Sequence, residues 1–291
     1  MISFPAAPIS RVIPETAAIG ISEDRWLLRV PEKWTDAVCV RYVPEPEAVT
    51  CAATGDAISY TYAQGILTLQ GADITRDPTS NDIVLLWPEN RWKEAIMTFV
   101  EADEQMPPMA DGILFTGSST ARLWPVAAAF PDMTTVNRGF GGSQFWDVFQ
   151  FADRILGVHK PDVIVLYSGD NDIASGKSPE WTFADCVATV QRLHLLAPTS
   201  HIVILGIKGS GSRWELYPAM QAANALMAAY AETQDNVSYL DLGALLLDEQ
   251  GKPDPACYLA DALHLSDEGY RRWNQALAAH LRGYATERVT N

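Results

Sequence analysis

The feature that most constrains the fold of this chain is an alternation of short apolar runs with longer amphipathic segments, which begins near residue 113. The apolar runs cover residues 113–115, 135–136, 163–166, 202–205 and 237–240. Segments with helical spacing of apolar residues accompany them, at 91–104, 145–155, 179–196, 217–232 and 266–281. Runs that are apolar throughout are typical of parallel strands covered by helices on both faces. We therefore predict an α/β fold with a parallel sheet for residues 89–291.

The first 88 residues have a different, β-rich texture. Runs of alternating or β-branched residues cover 26–30, 37–42, 58–62, 66–69 and 83–87, and Pro, Gly, Asp and Asn separate them. This pattern predicts a small antiparallel sheet or sandwich, and residues 1–88 form the predicted accessory domain. A carbohydrate-binding platform and a packing or dimerisation module are both compatible with its aromatic residues, Trp26, Trp34, Tyr60 and Tyr62. The sequence is thus also compatible with a homo-oligomer.

The charge balance excludes one class of partner. Asp and Glu total 36 against 21 Lys and Arg, a formal net charge of −15, and no basic stripe interrupts this acidity. Such a surface repels phosphate backbones, so no nucleic-acid binding is expected. No apolar run approaches the roughly 18 residues of a membrane span. Residues 1–10 lack the basic and apolar regions of a signal peptide, so the default expectation is a cytoplasmic protein.

The four cysteines, Cys39, Cys51, Cys186 and Cys257, are scattered and include no CxxC pair. This spacing argues against a zinc ribbon and against a disulfide-dense scaffold. Cys39 and Cys51 could form a disulfide if they lie on adjacent strands, but buried free thiols are the more common state.

Polar residues follow the predicted strands, where a parallel sheet binds its ligands. The first strand is followed by Gly117, Ser118 and Ser119. A serine at the start of a helix meets backbone amides and a helix dipole that favour a developing anion, although the same position suits a simple N-cap. The motif is not GxSxG, so the nucleophile elbow of α/β-hydrolases is not indicated.

Two further loops carry candidate oxyanion donors. Residues 137–143 contain three glycines, which let backbone amides approach a ligand, and a tight turn is the alternative. Their spacing does not match a dinucleotide fingerprint. In the loop 167–172, the neutral amide of Asn171 is able to donate a hydrogen bond to an oxyanion, as an ionised carboxylate is not. A loop that caps the next helix is the alternative here.

An acid–base pair lies near the end of the chain. Asp261 precedes His264 by three residues, so its carboxylate is able to accept a hydrogen bond from the imidazole and fix the tautomer. The alternative is the edge of the last helix, with Ser266 as its N-cap. Taken together, these loops supply a nucleophile, oxyanion donors, a base and an orienting acid for acyl transfer.

At these places the chain resembles the SGNH (GDSL-like) hydrolase superfamily, and in particular its GSS-type branch. The resemblance rests on the blocks ILFTGSSTARLW, VNRGFGGSQ, YSGDNDIASGKSP and DALHLSDEGYRRW, and it extends over about two thirds of the chain from Trp92. It implies a three-layer α/β/α sandwich around a five-stranded parallel sheet. The site residues that it implies are the catalytic Ser119, Asp261 and His264, with an oxyanion hole of Ser119, Gly142 and Asn171. Ser118 stands where most members have Asp.

The resemblance implies an enzyme, a carboxylic ester hydrolase that uses a serine nucleophile and needs neither cofactor nor metal. A metal-dependent phosphoesterase built on Asp241, Asp261 and His264 is conceivable, but it leaves the serine and glycine blocks without a role. A binding protein with a vestigial hydrolase site is a further alternative.

The expected reaction is the hydrolysis of short acyl esters, acetyl esters of carbohydrates among them. Arg213, Trp214 and Trp181 are the candidate substrate-binding residues, because aromatic faces and an arginine suit ligands rich in hydroxyl groups. Ordinary packing explains the two tryptophans as well. Lysophospholipases and thioesterases of the same superfamily are the alternative.

Overall fold

The computed structural model describes residues 19–22, 25–29, 38–41, 48–51, 57–63, 66–69, 82–86, 91–105 and 107–286. The chain divides into two compact units, residues 1–94 and 95–291. The predicted boundary after residue 88 stays a prediction, because residues 87–90 lie outside the described part. Trp34 and residues 1–10, where the sequence indicates no signal peptide, also lie outside it.

In the described part of the first unit, the strands form two antiparallel sheets. The strands are β1 (Ile19–Ser22), β2 (Arg25–Arg29), β3 (Val38–Arg41), β4 (Ala48–Cys51), β5 (Tyr60–Ala63), β6 (Ile66–Leu69) and β7 (Asp82–Leu86). Their order is β1-β2-β7-β4 in one sheet and β3-β6-β5 in the other. Cys39 on β3 and Cys51 on β4 thus belong to different sheets and not to adjacent strands of one sheet.

The second unit is built on a five-stranded sheet in which every pair of neighbours is parallel, in the order β12-β11-β10-β8-β9. Its strands are β8 (Ile113–Gly117), β9 (Thr135–Gly139), β10 (Val163–Tyr167), β11 (His201–Leu205) and β12 (Val237–Leu240). All residues of β8 and β10 are buried, as expected for central strands between helical layers. The α/β architecture with a five-stranded parallel sheet flanked by helices is therefore confirmed.

The helices are α1 (Lys93–Gln105), α2 (Ser119–Arg122), α3 (Val126–Ala129), α4 (Phe145–Gln150), α5 (Ala152–Leu156), α6 (Asp170–Ala174), α7 (Pro179–Leu196), α8 (Tyr217–Ala231) and α9 (Asp267–Thr286). Short 3-10 helices cover Gly211–Leu216, Gly243–Leu246 and Pro255–Cys257. The single helix predicted over 145–155 is wrong. Phe151, with φ −101° and ψ 12°, leaves helical geometry and separates α4 from α5.

Aromatic contacts pack α9 against β8 and the segment that follows α2. The ring of Trp124 lies 5.4 Å from those of both Phe115 and Trp273, and the Trp273 indole donates to the carbonyl of Leu242 at 2.9 Å. The Tyr270 hydroxyl donates to the carbonyl of Thr120 at 2.9 Å. Because α9 directly follows the loop that carries Asp261 and His264, these contacts also fix that loop relative to α2.

A histidine cluster lies at the opposite end of the sheet, at the start of β11. The Nε2 atoms of His201 and His280 lie 3.0 and 3.1 Å from the hydroxyl of Ser238, and the Tyr284 hydroxyl donates to the same oxygen at 3.2 Å. Burial lowers the pKa of His201 to about 4, and it also lowers the pKa of His280 and His194. The folded protein therefore favours the neutral form of these rings.

The cluster predicts a loss of stability in mild acid. Between about pH 6.5, the usual histidine value, and about pH 4, the unfolded chain binds protons that folded His201 does not. The free energy of unfolding should therefore fall as the pH falls through this range. Urea unfolding at pH 7 and pH 5 measures the loss, which should be smaller in His201→Gln. An equal loss in that variant would contradict the prediction.

In the described part of the chain, no helix combines the length and the apolar character that crossing a lipid bilayer requires.

Candidate active site

The turn after β8 brings Ser119 to the carboxyl edge of the sheet. Gly117 has φ +125°, and a Cβ there would come within 1.7 Å of the carbonyl oxygen of Tyr167 on β10, so only glycine fits. Ser118 is the N-cap of α2, but its side chain makes no capping hydrogen bond. Ser119 is the first residue of α2 and is half-buried. An N-cap role therefore does not account for its hydroxyl.

Ser119, His264 and Asp261 form a continuous chain of contacts. The Nε2 atom of His264 lies 3.0 Å from the Oγ of Ser119, across 145 positions of sequence. The Nδ1 atom of the same ring lies 2.6 Å from the Oδ2 of Asp261. A carboxylate accepts only, so Nδ1 carries the proton and Nε2 is left as the acceptor for the serine hydroxyl.

The loop around Asp261 prepares the carboxylate for this contact. Its Oδ1 accepts the backbone N–H groups of Leu263 and His264 at 2.9 and 3.0 Å. The hydrogen bond with the His264 ring and these two backbone donors hold the pKa of the Asp261 carboxyl below its usual range. Asp261 is therefore ionised at neutral pH. The predicted Ser266 cap is also present, since its Oγ accepts the N–H of Gly269 at 3.3 Å.

The glycine loop after β9 and the loop after β10 meet beside the serine. The Oγ of Ser143 donates to the carbonyl of Gly117 at 3.2 Å, and the carbonyl of Ser143 accepts from the Nδ2 of Asn171 at 2.9 Å. Gly142, which precedes Ser143, has φ +78°, a left-handed conformation that favours glycine. Gly142 and Asn171 thus lie on neighbouring segments, as the sequence predicts for two donors of one oxyanion hole.

A buried charge cluster lies behind Asn171. Asp170 accepts from the hydroxyl of Ser118 at 3.5 Å, and its Oδ2 lies 3.6 Å from the Nζ of Lys208 and 3.5 Å from the Nη1 of Arg213. The Nη2 of Arg213 donates to the Oδ1 of Asn171 at 3.0 Å. Burial lowers the pKa of Lys208, which is 1% exposed. The sequence predicts no role for Asp170 or Lys208, since the contacts of Asp170 with Ser118, Lys208 and Arg213 span 38 to 52 positions.

The other two candidate substrate residues already have contacts within the protein. The ring of Trp214 stacks on Tyr217 at 4.6 Å, and the Nζ of Lys252 lies 4.9 Å from its centroid. Trp181, at the start of α7, has the Nζ of Lys177 at 5.4 Å from its ring. Both tryptophans are half-buried, and no contact described for Trp181 joins it to Ser119 or His264.

Lys177, Asp172 and Asp185 form a second buried cluster, which the sequence does not predict. The Nζ of Lys177 donates to Asp172 at 3.0 Å and to Asp185 at 2.6 Å, while Asp172 also accepts the N–H of Phe145 at 3.3 Å. Burial raises the pKa of Asp185 to about 7 and also raises that of Asp172. The cluster connects the start of α6, next to Asn171, with α4 and α7.

Asp241 lies outside the contacts of the serine–histidine–aspartate chain, and its Oδ1 accepts the N–H of Gly243 at 2.8 Å. Among the residues that the structure describes, no three His, Cys, Asp or Glu side chains are grouped as ligands of a metal ion.

Comparison with solved structures places this architecture among known proteins. A protein from Streptococcus pneumonia, provisionally named a platelet activating factor, is 25% identical, with a TM-score of 0.59 over 65% of this chain and 92% of that one. A provisionally named acylhydrolase from Bacteroides fragilis is 18% identical, with a TM-score of 0.58 over 67% of this chain and 99% of that one. A GDSL-like lipase from Bacteroides thetaiotaomicron is 16% identical, with a TM-score of 0.52 over 65% and 97%. The last two likenesses show the fold alone.

Among proteins with curated descriptions, none matches this sequence. The model of one family, described as GDSL-like Lipase/Acylhydrolase, matches residues 112–272. The match spans more than half of the chain and contains Ser119, Gly142, Asn171, Asp261 and His264. The chain therefore belongs to the GDSL-like lipase/acylhydrolase family.

Proposed function

We propose that this protein is a serine ester hydrolase that cleaves short acyl esters through an acyl-enzyme intermediate on Ser119. The observation that carries the proposal is the uninterrupted contact chain from the Ser119 hydroxyl through His264 to Asp261. A serine hydroxyl is a weak nucleophile until a positioned base takes its proton, and this arrangement supplies both the base and the group that orients it.

The first half of the reaction forms the acyl-enzyme. The Nε2 of His264 takes the proton of Ser119 while Oγ bonds to the ester carbonyl carbon, and the carbonyl electron pair moves to oxygen. The backbone amides of Ser119 and Gly142 and the Nδ2 of Asn171 donate to this oxyanion. When the intermediate collapses, the bond to the leaving alcohol breaks and His264 gives the alcohol its proton. Asp261 stabilises the positive imidazole between these transfers.

The second half regenerates the enzyme. His264 removes a proton from a water molecule, which attacks the acyl carbon, and the same oxyanion donors stabilise the second tetrahedral intermediate. Its collapse releases the carboxylic acid, and the proton on His264 returns to Ser119. All proton transfers in the cycle use the chain's own side chains.

Short acyl groups are proposed because two of the connections that flank the nucleophile are too short to hold a lid. One residue separates β8 from α2, and two separate β10 from α6. Neither connection contains an apolar segment able to cover a long acyl chain. Acetyl esters of carbohydrates are the natural substrates that we propose, with residues 1–88 as an accessory domain of a GSS-type chain.

The experiment is the hydrolysis of p-nitrophenyl esters from acetate to laurate by the full chain, with and without EDTA. The proposal predicts the highest kcat/KM for acetate or butyrate and no effect of EDTA. A maximum at laurate would instead favour a lysophospholipase or thioesterase. Inhibition by EDTA would favour a metal-dependent reaction, and inactivity on every ester would favour a binding protein with a vestigial site.

Aspartate in place of Asn171 should lower kcat by about 10²–10³-fold, the usual loss for one oxyanion donor. The variant replaces a donating Nδ2 with a carboxylate oxygen, which repels the oxyanion and also faces the carbonyl of Ser143. Steady-state kinetics on p-nitrophenyl acetate measure the effect, with Asn236→Asp, at an exposed position, as control. An unchanged kcat in Asn171→Asp would remove Asn171 from the oxyanion hole.

A further inference from the structure

The side-chain amide of Asn171 is held at both ends. Its Nδ2 donates one hydrogen to the carbonyl of Ser143 at 2.9 Å, and its Oδ1 accepts from Arg213 at 3.0 Å. A carbonyl only accepts and a guanidinium only donates, so these two partners permit one orientation of the amide. In that orientation the second hydrogen of Nδ2 is left for another acceptor. The amide is therefore fixed before any substrate arrives.

The guanidinium of Arg213 is itself held by the buried cluster. Its Nη1 lies 3.5 Å from Asp170, the residue directly before Asn171, and the side chain is 21% exposed. Lys208 lies 3.6 Å from the same carboxylate oxygen of Asp170 and is almost fully buried. A charged fork that meets a carboxylate and an amide together is more restricted than a lysine ammonium on a flexible stem. The Nη2 of Arg213 thus forms a hydrogen bond with the protein, while its buried Nη1 is held by the charge of Asp170 without a hydrogen bond.

We propose that Arg213 is a positioning residue, which orients the Asn171 amide toward the oxyanion. It does not bind substrate, in contrast to the prediction from the sequence alone. The inference rests on the proposed esterase function, and it adds which residue fixes the orientation of the Asn171 amide in the oxyanion hole. Asp170 anchors the guanidinium, and the Arg213–Asn171 contact transmits that anchoring to Nδ2.

The inference predicts a specific kinetic pattern. Without Arg213 the Oδ1 of Asn171 loses its donor and the amide is free to rotate away from the productive position. Misplacement of a catalytic group by about 1 Å costs up to about 10²-fold in rate, so Arg213→Met should lower kcat by about 10–100-fold. KM should change by less than about threefold, because a positioning residue acts on the transition state. Arg213→Lys keeps the positive charge but lacks the planar guanidinium, so its kcat should lie between those of the wild type and Arg213→Met.

A double-mutant cycle with Asn171→Ala separates this role from a structural one. If Arg213 acts through Asn171, the effect of Arg213→Met should nearly disappear in the Asn171→Ala background. Equal effects of Arg213→Met on kcat in both backgrounds would overturn the inference, and so would an effect confined to KM, which indicates substrate binding. Arg271→Met serves as the matched control, since the Arg271 side chain is 63% exposed and pairs only with Glu268 in the described structure.

Nuclear magnetic resonance of the Asn171 side chain tests the same contact without turnover. Its NH₂ signals are identified by their absence in Asn171→Ala. They should shift or broaden in Arg213→Met and stay unchanged in Arg271→Met. Unchanged signals in Arg213→Met would overturn the inference even if the protein proved inactive on every ester. Shifted signals in an inactive protein would support the contact while the esterase proposal failed.

Discussion

Alanine at position 119 is expected to lower kcat for ester hydrolysis by about 10⁶-fold, the loss typical of a serine hydrolase without its nucleophile. No other hydroxyl is described within hydrogen-bond distance of the His264 ring. His264→Ala should cost about as much, and the double variant should lose no more than either single one, because nucleophile and base act as a unit. Steady-state kinetics on p-nitrophenyl acetate measure all three.

Ser118→Ala is the matched control for this prediction. The Ser118 hydroxyl is fully buried and makes one long hydrogen bond, which it donates to Asp170 at 3.5 Å. Loss of a single hydrogen bond of that kind costs about 0.5–1.5 kcal/mol of stability. Because the Ser118 hydroxyl has no described contact with His264, kcat of Ser118→Ala should stay within about tenfold of the wild type. If Ser118→Ala lost activity and Ser119→Ala kept it, the nucleophile would be misassigned.

Methionine at position 177 is expected to lower the free energy of unfolding by about 3–5 kcal/mol, the typical cost of leaving a buried charge without its partner. Lys177 is the only cation described in contact with Asp172 and Asp185, and their side chains are 0% and 1% exposed. Methionine fills a similar volume, so most of the loss is electrostatic. Urea denaturation of Lys177→Met against the wild type measures it.

The pH dependence of this loss identifies its cause. Burial raises the pKa of Asp185 to about 7, above its usual value of about 3.9. As the pH rises from about 4 to about 7, the unfolded chain releases a proton that folded Asp185 keeps, so the contribution of Asp185 to stability declines. The cost of removing Lys177 should therefore be smaller at pH 5 than at pH 8. A cost independent of pH would indicate lost packing alone, and Lys160→Met, at an exposed position, should change stability by less than about 0.5 kcal/mol.

The sequence predicts the architecture of the second unit because its elements have strong local signals. Strand β12 and helix α7 have the predicted bounds, and α7 begins at a Ser178 cap followed by Pro179. This order of residues is a helix start signal in the local sequence. β1 and β4 carry a weaker signal, since each has only four residues, and they are missing from the sequence prediction. The break at Phe151 also has no signature, because phenylalanine is acceptable inside a helix.

The candidate active site likewise combines contacts that the sequence predicts with contacts that it does not predict. Asp261 and His264 are three residues apart, so their pairing is a local inference. The conjunction of loops after the strands predicts a serine as the partner of His264, and the resemblance to a family selects Ser119 as that serine. The contact of Arg213 with the neutral Asn171 and that of Lys208 with Asp170 join residues 42 and 38 positions apart. No local pattern records such pairs, because the sheet order decides which loops meet.

Covalent trapping with a p-nitrophenyl alkylphosphonate tests most directly whether Ser119 is the nucleophile. The serine oxygen should bond to phosphorus as p-nitrophenolate leaves, which stops the reaction at an analogue of the tetrahedral intermediate. One p-nitrophenol per chain should be released, and one phosphonyl group should be found on the peptide that contains Ser119, with no labelling of Ser119→Ala. Labelling at any other residue, or ester turnover by a chain that cannot be labelled, would contradict the assignment of Ser119 as the nucleophile.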